Sequence, residues 1–327
     1  RGGEIIMNDN VLLEVKNLKK YFDTPGGTLQ AVDDVSFTID KGVTLGVVGE
    51  SGCGKSTLGR TILRLQEPTS GQILFNGNDI VRYGKKEMEA MRSKMQIIFQ
   101  DPYSSLNPRM TVSQAIAAPM LLQKMYRKSE KEKINKRVGE MMDIVGLASR
   151  FKNTYPHELD GGRRQRIGIA RALSLNPEFI VCDEPVSALD VSIQAQVLNL
   201  MQDLQEKLNL TYMFITHDLS VVKHLSEYIV VMYLGQLVER AAPDELFSNP
   251  QHPYTKALLS AIPIPDPDIK MSRVKLYGEI SSPINMGSGC RFLKRCPYGS
   301  MECSEPVRQI EISTNHFVSC HKVNTKY

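Results

Sequence analysis

The run Gly49-Glu50-Ser51-Gly52-Cys53-Gly54-Lys55-Ser56-Thr57 constrains this chain more than any other stretch. It fits the pattern G-x-x-x-x-G-K-[ST]. Thr44 to Val48 before it read as a short buried strand, and Leu58 to Leu65 after it as a helix. A strand feeding a glycine loop that opens a helix is the context in which successive backbone N–H groups turn inward on a phosphate. The glycines permit the tight path, and the helix N-terminus adds partial positive charge. In such a loop Lys55 reaches the β- and γ-phosphates of a nucleotide, and Ser56 is placed to ligate Mg²⁺. The bland alternative is a chance glycine turn, and the flanking strand and helix argue against it.

Length and charge narrow the rest. The 327 residues hold one large domain with a small appendage, or two domains. A net charge of +4, from 40 basic and 36 acidic residues, is too balanced to argue for nucleic acid or a lipid surface. No run approaches the roughly 18 apolar residues that span a bilayer. Arg1 to Ile6 lack the long apolar segment of a signal peptide, so the expected compartment is the cytosol.

Val11 to Asn17, Val35 to Ile39 and Gln72 to Asn76 alternate as short strands and predict an antiparallel layer. Tyr21 and Phe22 sit between them, either packed in the core or stacked on a purine. Met95 to Phe99 is a further strand ending at Gln100, followed by the loop Tyr103 to Pro108. From about residue 101 to 172 the periodicity is helical, with Ile134, Val138, Met141, Met142 and Val145 on one face. Asp160 reads as an N-cap, with Gly161 and Gly162 in the first turn of a helix running to Leu173. Arg163, Arg164, Arg166 and Arg171 spread around more than one face of it, which favours solvation and ion pairing over a nucleic-acid patch. Phe179 to Cys182 is an apolar run of the kind found in a buried parallel strand, and it ends in Asp183-Glu184. Asp190 precedes a helix from Val191 to Leu208. Met213 to Thr216 is another buried strand, with His217 at its end. Ligands gather at the carboxyl ends of such strands, which makes Asp183, Glu184 and His217 candidate site residues. The Pro-rich stretch Ile262 to Pro267 predicts a boundary between domains spanning 1–262 and 263–327.

The phosphate loop, Gln100, Leu159 to Arg163, Asp183-Glu184, Asp190 and His217 stand in the order found in ABC-type ATPases, and residues 11 to about 262 resemble that family. The expected fold is an α/β nucleotide-binding domain with a mixed sheet core, an antiparallel β layer, a helical subdomain and a small cysteine-rich C-terminal appendage. Gln100-Asp-Pro-Tyr-Ser-Ser-Leu-Asn-Pro-Arg-Met110 and the cysteine-bearing tail are similar to the ATP-binding subunits of dipeptide/oligopeptide permeases. That resemblance implies ATP hydrolysis that energises peptide import. The partners it implies are a second ATP-binding subunit, two transmembrane permease subunits and, indirectly, a peptide-binding protein, with no nucleic acid. It places the chain peripherally on the cytoplasmic face of the membrane. A soluble ABC ATPase acting on ribosomes or DNA is the competing class. Its translation-type members carry two ATPase domains and its chromosome-type members a long coiled coil, and neither is present here.

The resemblance also implies roles. Phe22, with Tyr21 in second place, would stack on adenine. The N–H groups of Ser51, Gly52, Cys53, Gly54, Lys55 and Ser56, with the Lys55 side chain, would hold the β- and γ-phosphates, and Thr57 the α-phosphate. Ser56 and Gln100 would ligate Mg²⁺, with Asp183 acting through water. Glu184 would be the general base and His217 the γ-phosphate ligand. Asp160, Gly161, Gly162 and Asp190 would act in trans on ATP held by the opposite subunit. The family's usual Leu-Ser-Gly-Gly-Gln becomes Leu-Asp-Gly-Gly-Arg here, so Asp160 replaces a hydroxyl donor by a carboxylate that repels phosphate, and Arg163 or Arg164 would neutralise it.

Cys290, Cys296, Cys303 and Cys320 are separated by five, six and sixteen intervening residues. Clustered cysteines in a cytosolic chain suggest metal binding over disulfides. Zinc sites usually contain a tight pair two to four residues apart, and none is present. Four cysteines around a [4Fe–4S] cluster is the better reading, and the permease resemblance points the same way; zinc, or neither, remains the alternative. The expected role is to tie down a segment too small to build its own core.

Overall fold

β1 (Val11–Thr24) and β2 (Gly27–Asp40) form a long antiparallel hairpin that buries Leu13, Val15, Leu18, Val35, Phe37 and Ile39 in the core. This computed structural model describes residues 10–262, 274, 276 and 282–323. Arg1 to Ile6, and the Pro-rich stretch beyond Ile262, lie outside the described residues. β3 (Thr44–Val48) leaves for a second sheet and α1 (Lys55–Ile62) follows it. β4 (Ser70–Phe75) returns to pair with β1 and carries the short β5 (Asn78–Asp79). The order β2-β1-β4-β5 is antiparallel throughout. Tyr21 and Phe22 belong to β1 itself, not to a connection between strands.

After α2 (Lys85–Lys94), the second sheet takes β6 (Met95–Ile98), β7 (Phe179–Asp183), β8 (Thr211–Ile215) and β9 (Tyr228–Tyr233). β9, β3, β8, β7 and β6 lie side by side in that order, all parallel. Both faces are covered, which is why β7 is apolar without alternation. Phe179 and Val181 pack toward the antiparallel layer and α1, while Ile180 and Cys182 pack among the helices. Burying each such side chain contributes roughly 1.5–3 kcal/mol.

Between β6 and β7 lie α3 (Pro102–Ser105), α4 (Val112–Leu122), α5 (Lys131–Ile144) and α6 (Gly161–Leu173). α3 occupies part of the expected loop because Asp101 caps it, accepting from the N–H groups of Tyr103 and Ser104. On α6 the arginines depart from expectation. Arg163 pairs with Asp160 at 2.8 Å, but Arg164 donates to Pro156 O at 2.7 Å, Arg166 to Val145 O and Arg171 to Ser105 O. α6 is packed among α4, α5 and α7 (Val191–Leu208), so Arg164, Arg166 and Arg171 satisfy backbone carbonyls of neighbouring segments, while Arg163 stays half-exposed in its ion pair.

The C-terminal residues correct the expectation of a separate appendage. After α8 (Leu219–Leu225), β10 (Gln236–Ala241), α9 (Pro243–Ser248) and α10 (Pro253–Ser260), the hairpin β11 (Ile310–Ser313) and β12 (His316–Val318) adds to the main sheet. β12 pairs antiparallel with β10, matching Glu239 to Val318 and Arg240 to Phe317. Ile284 bridges Leu29, and the Gln30 N–H donates to Pro283 O at 2.9 Å. A short cysteine-rich segment cannot bury enough apolar surface alone, and here it uses the main sheet and the β1–β2 hairpin as its core.

Candidate functional site

The parallel strands end in a row. Along the sheet edge stand the loop after β3, then His217 after β8, Asp183 and Glu184 at the end of β7, and Gln100 after β6. Together with β1 they enclose a cleft of about 490 Å³ lined by Phe22, Ser51, Gly52, Gly54, Lys55, Ser56, Thr57, Gln100, Glu184 and His217, with Leu29, Ala31 and Pro283. The loop's path needs glycine at its two ends. A Cβ on Gly49, at φ +152, would stand 2.2 Å from Met232 O, and one on Gly54, at φ +105, would stand 2.1 Å from Ala31 O.

Inside the loop Lys55 is buried and donates to Gly49 O at 2.7 Å and Glu50 O at 3.0 Å. Ser56 Oγ donates to Asp183 Oδ1 at 2.6 Å, and Arg60 approaches Asp183 Oδ2 at 3.4 Å. Asp183 is 1% exposed, so this carboxylate depends on those neighbours. Glu184 has φ +47, unusual for a residue with a Cβ, and the strain turns its side chain at the strand end. Its Oε2 accepts from Gln100 Nε2 at 2.8 Å and lies 3.4 Å from His217 Nδ1.

The two aromatic candidates part here. Phe22 lines the cleft, with Lys20 Nζ 4.6 Å from its ring centre, whereas the Tyr21 hydroxyl donates to Asp33. Successive strand residues point to opposite faces, so one of the pair had to face away. Cys53 is buried beneath the loop, where burial pushes its thiol up.

Asp160, Gly161, Gly162 and Asp190 are not on this cleft. They form a separate corner where α6 meets α7, with Asp160 and Asp190 exposed, Gly161 half-buried and Gly162 buried: Gly161 abuts Leu189, and a Cβ on Gly162 would lie 2.5 Å from Ile193 Cγ2. Asp160 caps α6 by accepting from Arg163 N at 2.8 Å.

The four tail cysteines lie within electrostatic reach of one another. Cys303 is buried and the other three are half-buried, and Cys290 N donates to Cys303 O at 2.8 Å. Burial pushes the Cys290 thiol up to about 11, with Cys303, Cys320 and Cys296 adding to the rise. Burial also pushes Cys296 and Cys320 up. Among the described residues no three His, Cys, Asp or Glu side chains are drawn together tightly enough to hold a metal ion, so neither the expected [4Fe–4S] ligand set nor its zinc alternative is assembled among them.

Sequence reasoning missed Arg295 and Tyr254, which reach the phosphate loop from far along the chain. Arg295 makes two contacts with the Glu50 carboxylate, at 2.8 and 3.1 Å, and these hydrogen bonds hold its guanidinium above the ordinary value. Tyr254 OH accepts from Glu50 N at 2.8 Å. Local sequence carries no signal for contacts that span more than two hundred residues.

Fold and cleft together define a phosphate-loop ATPase. The model of the ABC transporter family matches residues 32–187, and that of the oligopeptide/dipeptide transporter C-terminal region matches residues 238–303. The oligopeptide transport ATP-binding protein AppF of Bacillus subtilis is 51% identical over 325 residues, covering 96% of this chain and 98% of that protein. OppF of the same organism, also an oligopeptide transport ATP-binding protein, is 60% identical over 296 residues, covering 90% and 96%. A structure of the ATP-binding cassette MJ0796, titled a dimeric post-hydrolysis state bound to ADP and Pi, aligns with a TM-score of 0.65 at 29% identity over 71% of this chain and 99% of that one. The cbiO1 protein of Clostridium perfringens, part of the cbiONQ transporter complex, aligns equally well at 28% identity, over 73% and 92%. The chain belongs to the ABC transporter family, among its oligopeptide/dipeptide transporter ATP-binding proteins.

Proposed function

We propose that this chain hydrolyses ATP to drive import of di- and oligopeptides through permease subunits in the membrane. The observation that carries the reading is the contact of Gln100 and His217 with one Glu184 oxygen above the phosphate loop. Phe22 stacks on adenine. The loop N–H groups from Ser51 to Ser56 and the Lys55 ammonium hold the β- and γ-phosphates, and Thr57 the α-phosphate. Ser56 and Gln100 would hold Mg²⁺, with Asp183 acting through water, and the oxygen-rich set around a buried carboxylate suits that ion. When bound, the ion neutralises charge on the phosphates. Glu184 orients and deprotonates the attacking water, and His217 stabilises charge that builds on the γ-phosphate.

The corner formed by Asp160, Gly161, Gly162 and Asp190 presents its two carboxylates to solvent, and in this reading it completes the cleft of a second ATPase subunit. One chain then holds two half-sites, and hydrolysis needs the pair. The permease subunits meet the groove between Met88, Met91, Leu122 and Arg171, which is lined by Gln96 and Ile97 of the strand leading to Gln100, and nucleotide state passes to them there. Among the described residues no helix is long and apolar enough to cross a membrane, which fits a peripheral subunit on the cytoplasmic face. The nucleotide-binding domain, with its helical subdomain at about 101–172, runs to near residue 262, and the permease-type C-terminal region that follows packs back onto its sheet. The four cysteines of that region would hold a [4Fe–4S] cluster. The spacing supports the cluster over zinc, because none of the four forms the tight pair two to four residues apart that zinc sites usually contain.

Reconstitution with the permease subunits tests the function. ATP-dependent peptide uptake is expected with the wild type and absent with Lys55→Ala. Uptake that survives Lys55→Ala, or ATP hydrolysis that no peptide substrate stimulates, counts against the reading.

A further inference from the structure

A glycine-rich loop has many conformations to lose, so holding it in a phosphate-ready shape requires bracing from outside. Gly49, Gly52 and Gly54 all have positive φ. Glu50 is the larger residue between them, and each of its polar groups is taken by a different part of the chain. Its N–H donates to Tyr254 OH on α10, its carbonyl accepts from Lys55 on α1, and its carboxylate is gripped by both terminal nitrogens of Arg295. Arg295 is 8% exposed and also reaches Tyr233 OH at 3.4 Å. Tyr233, Tyr254 and Phe292 pack ring against ring around it, with centroids 4.6 to 5.5 Å apart.

A second contact leaves the same segment. Arg291, four residues earlier, donates to Leu234 O and pairs with Asp33. The neighbouring Gly235 N–H donates to Cys53 O at 2.8 Å, inside the phosphate loop. The segment between Cys290 and Cys296 therefore backs the loop at two points, Glu50 directly and Cys53 through the turn after β9.

We propose that Arg295 is a positioning residue for nucleotide binding, acting through Glu50 to hold the phosphate loop in its binding shape. The inference rests on the ATPase reading of the cleft and assigns a part of that site to the C-terminal region. The bidentate fork fixes the direction of the Glu50 carboxylate, which a single point charge does not. With Tyr254 on the amide next to it, the first peptide of the loop is held at both ends before the phosphates arrive.

The test is a fluorescence titration of the purified full chain with mant-ATP, in parallel with thermal melting. Arg295→Met is expected to raise Kd roughly tenfold, the factor that corresponds to about 1.4 kcal/mol. Arg295→Lys keeps the charge without the fork and falls between. Glu50→Gln raises Kd comparably, and the double variant is no weaker than Arg295→Met alone, because both changes remove one contact. Losses that multiply in the double variant overturn the proposal. So does an Arg295→Met protein that melts earlier yet binds mant-ATP as the wild type does, since that is the signature of a residue that only holds the tail down. If Arg295→Met does not fold, Glu50→Gln, Arg295→Lys and Tyr254→Phe carry the test, and wild-type affinity in all three overturns it. A wild type that takes up no nucleotide overturns the functional reading as well.

Discussion

Gln100 Nε2 donates to Glu184 Oε2 at 2.8 Å, joining the end of β6 to the end of β7 across the mouth of the cleft. The same oxygen lies 3.4 Å from His217 Nδ1. Glu184 is thus held from two sides by residues that themselves face the nucleotide cleft. A carboxylate in that position is oriented before a water arrives, which is the requirement for a general base.

Glu184→Gln preserves the shape of this contact and removes the proton acceptor. Phosphate release should fall at least about a hundredfold, with mant-ATP affinity within a few-fold of wild type. Hydrolysis that stays within tenfold of wild type would remove Glu184 from the chemistry.

Phe22 and Tyr21 make a matched pair for the adenine contact. Phe22→Ala should weaken ATP binding by roughly five- to a hundredfold, the range that loss of one aromatic–base stack covers. Tyr21→Phe should leave it unchanged, because that hydroxyl is engaged with Asp33 on the other face of β1. Equal effects from the two substitutions would argue against stacking by Phe22.

Asp160 faces solvent in an ion pair with Arg163 whose side chains are 45% and 56% exposed for Arg163 and Asp160, so the pair adds little stability and little neutralisation. The site that this signature completes on a partner subunit should hydrolyse ATP more slowly than the site on Lys55. Asp160→Ser should speed the partner's site selectively. Glu184→Gln and the matching substitution in the partner should then cost transport-coupled hydrolysis unequally, and equal costs refute the asymmetry.

His316 is fully buried between Glu239, 2.8 Å from Nε2, and Glu245, 3.1 Å from Nδ1. Burial opposes its charge, but the two carboxylates outweigh burial and the net shift is upward. Its contribution is fully present below about pH 6.5 and is lost as pH rises through the raised folded value. His252, also buried, has the opposite sign. Burial drives it down to about 4, with Glu239 pulling the other way. Below pH 6.5 the unfolded chain takes up a proton that the folded chain refuses until about pH 4, at a cost on the order of 3 kcal/mol. Urea unfolding across pH should show wild-type stability declining on both sides. His316→Gln should flatten the alkaline limb and His252→Gln the acid limb. Variant profiles that run parallel to the wild type would show that neither histidine is linked to folding.

Iron and acid-labile sulfide, measured on anaerobically purified protein, should each approach about four per chain if the tail cysteines carry a cluster. One zinc per chain without iron would replace that assignment.

The phosphate loop, the strand-end carboxylates and the helix caps were readable from the residues alone, because each is a local pattern. Three glycines and a lysine at fixed spacing, an apolar run that stops at Asp183-Glu184, and Asp160 before two glycines need only neighbouring residues to be recognised. Folding supplied the adjacency. In the chain the cleft residues run phosphate loop, Gln100, Glu184, His217, whereas along the sheet edge they run phosphate loop, His217, Glu184, Gln100, because β8 and β7 insert between β3 and β6. Folding also turned Phe22 into the cleft and Tyr21 away, laid Arg164, Arg166 and Arg171 of α6 on backbone carbonyls, and brought Arg295 onto Glu50 across 245 positions. Spacing and propensity act over a few residues, while contacts of that length depend on how whole sheets and helices pack, and that packing drew the cysteine-bearing tail back against the loop that binds phosphate.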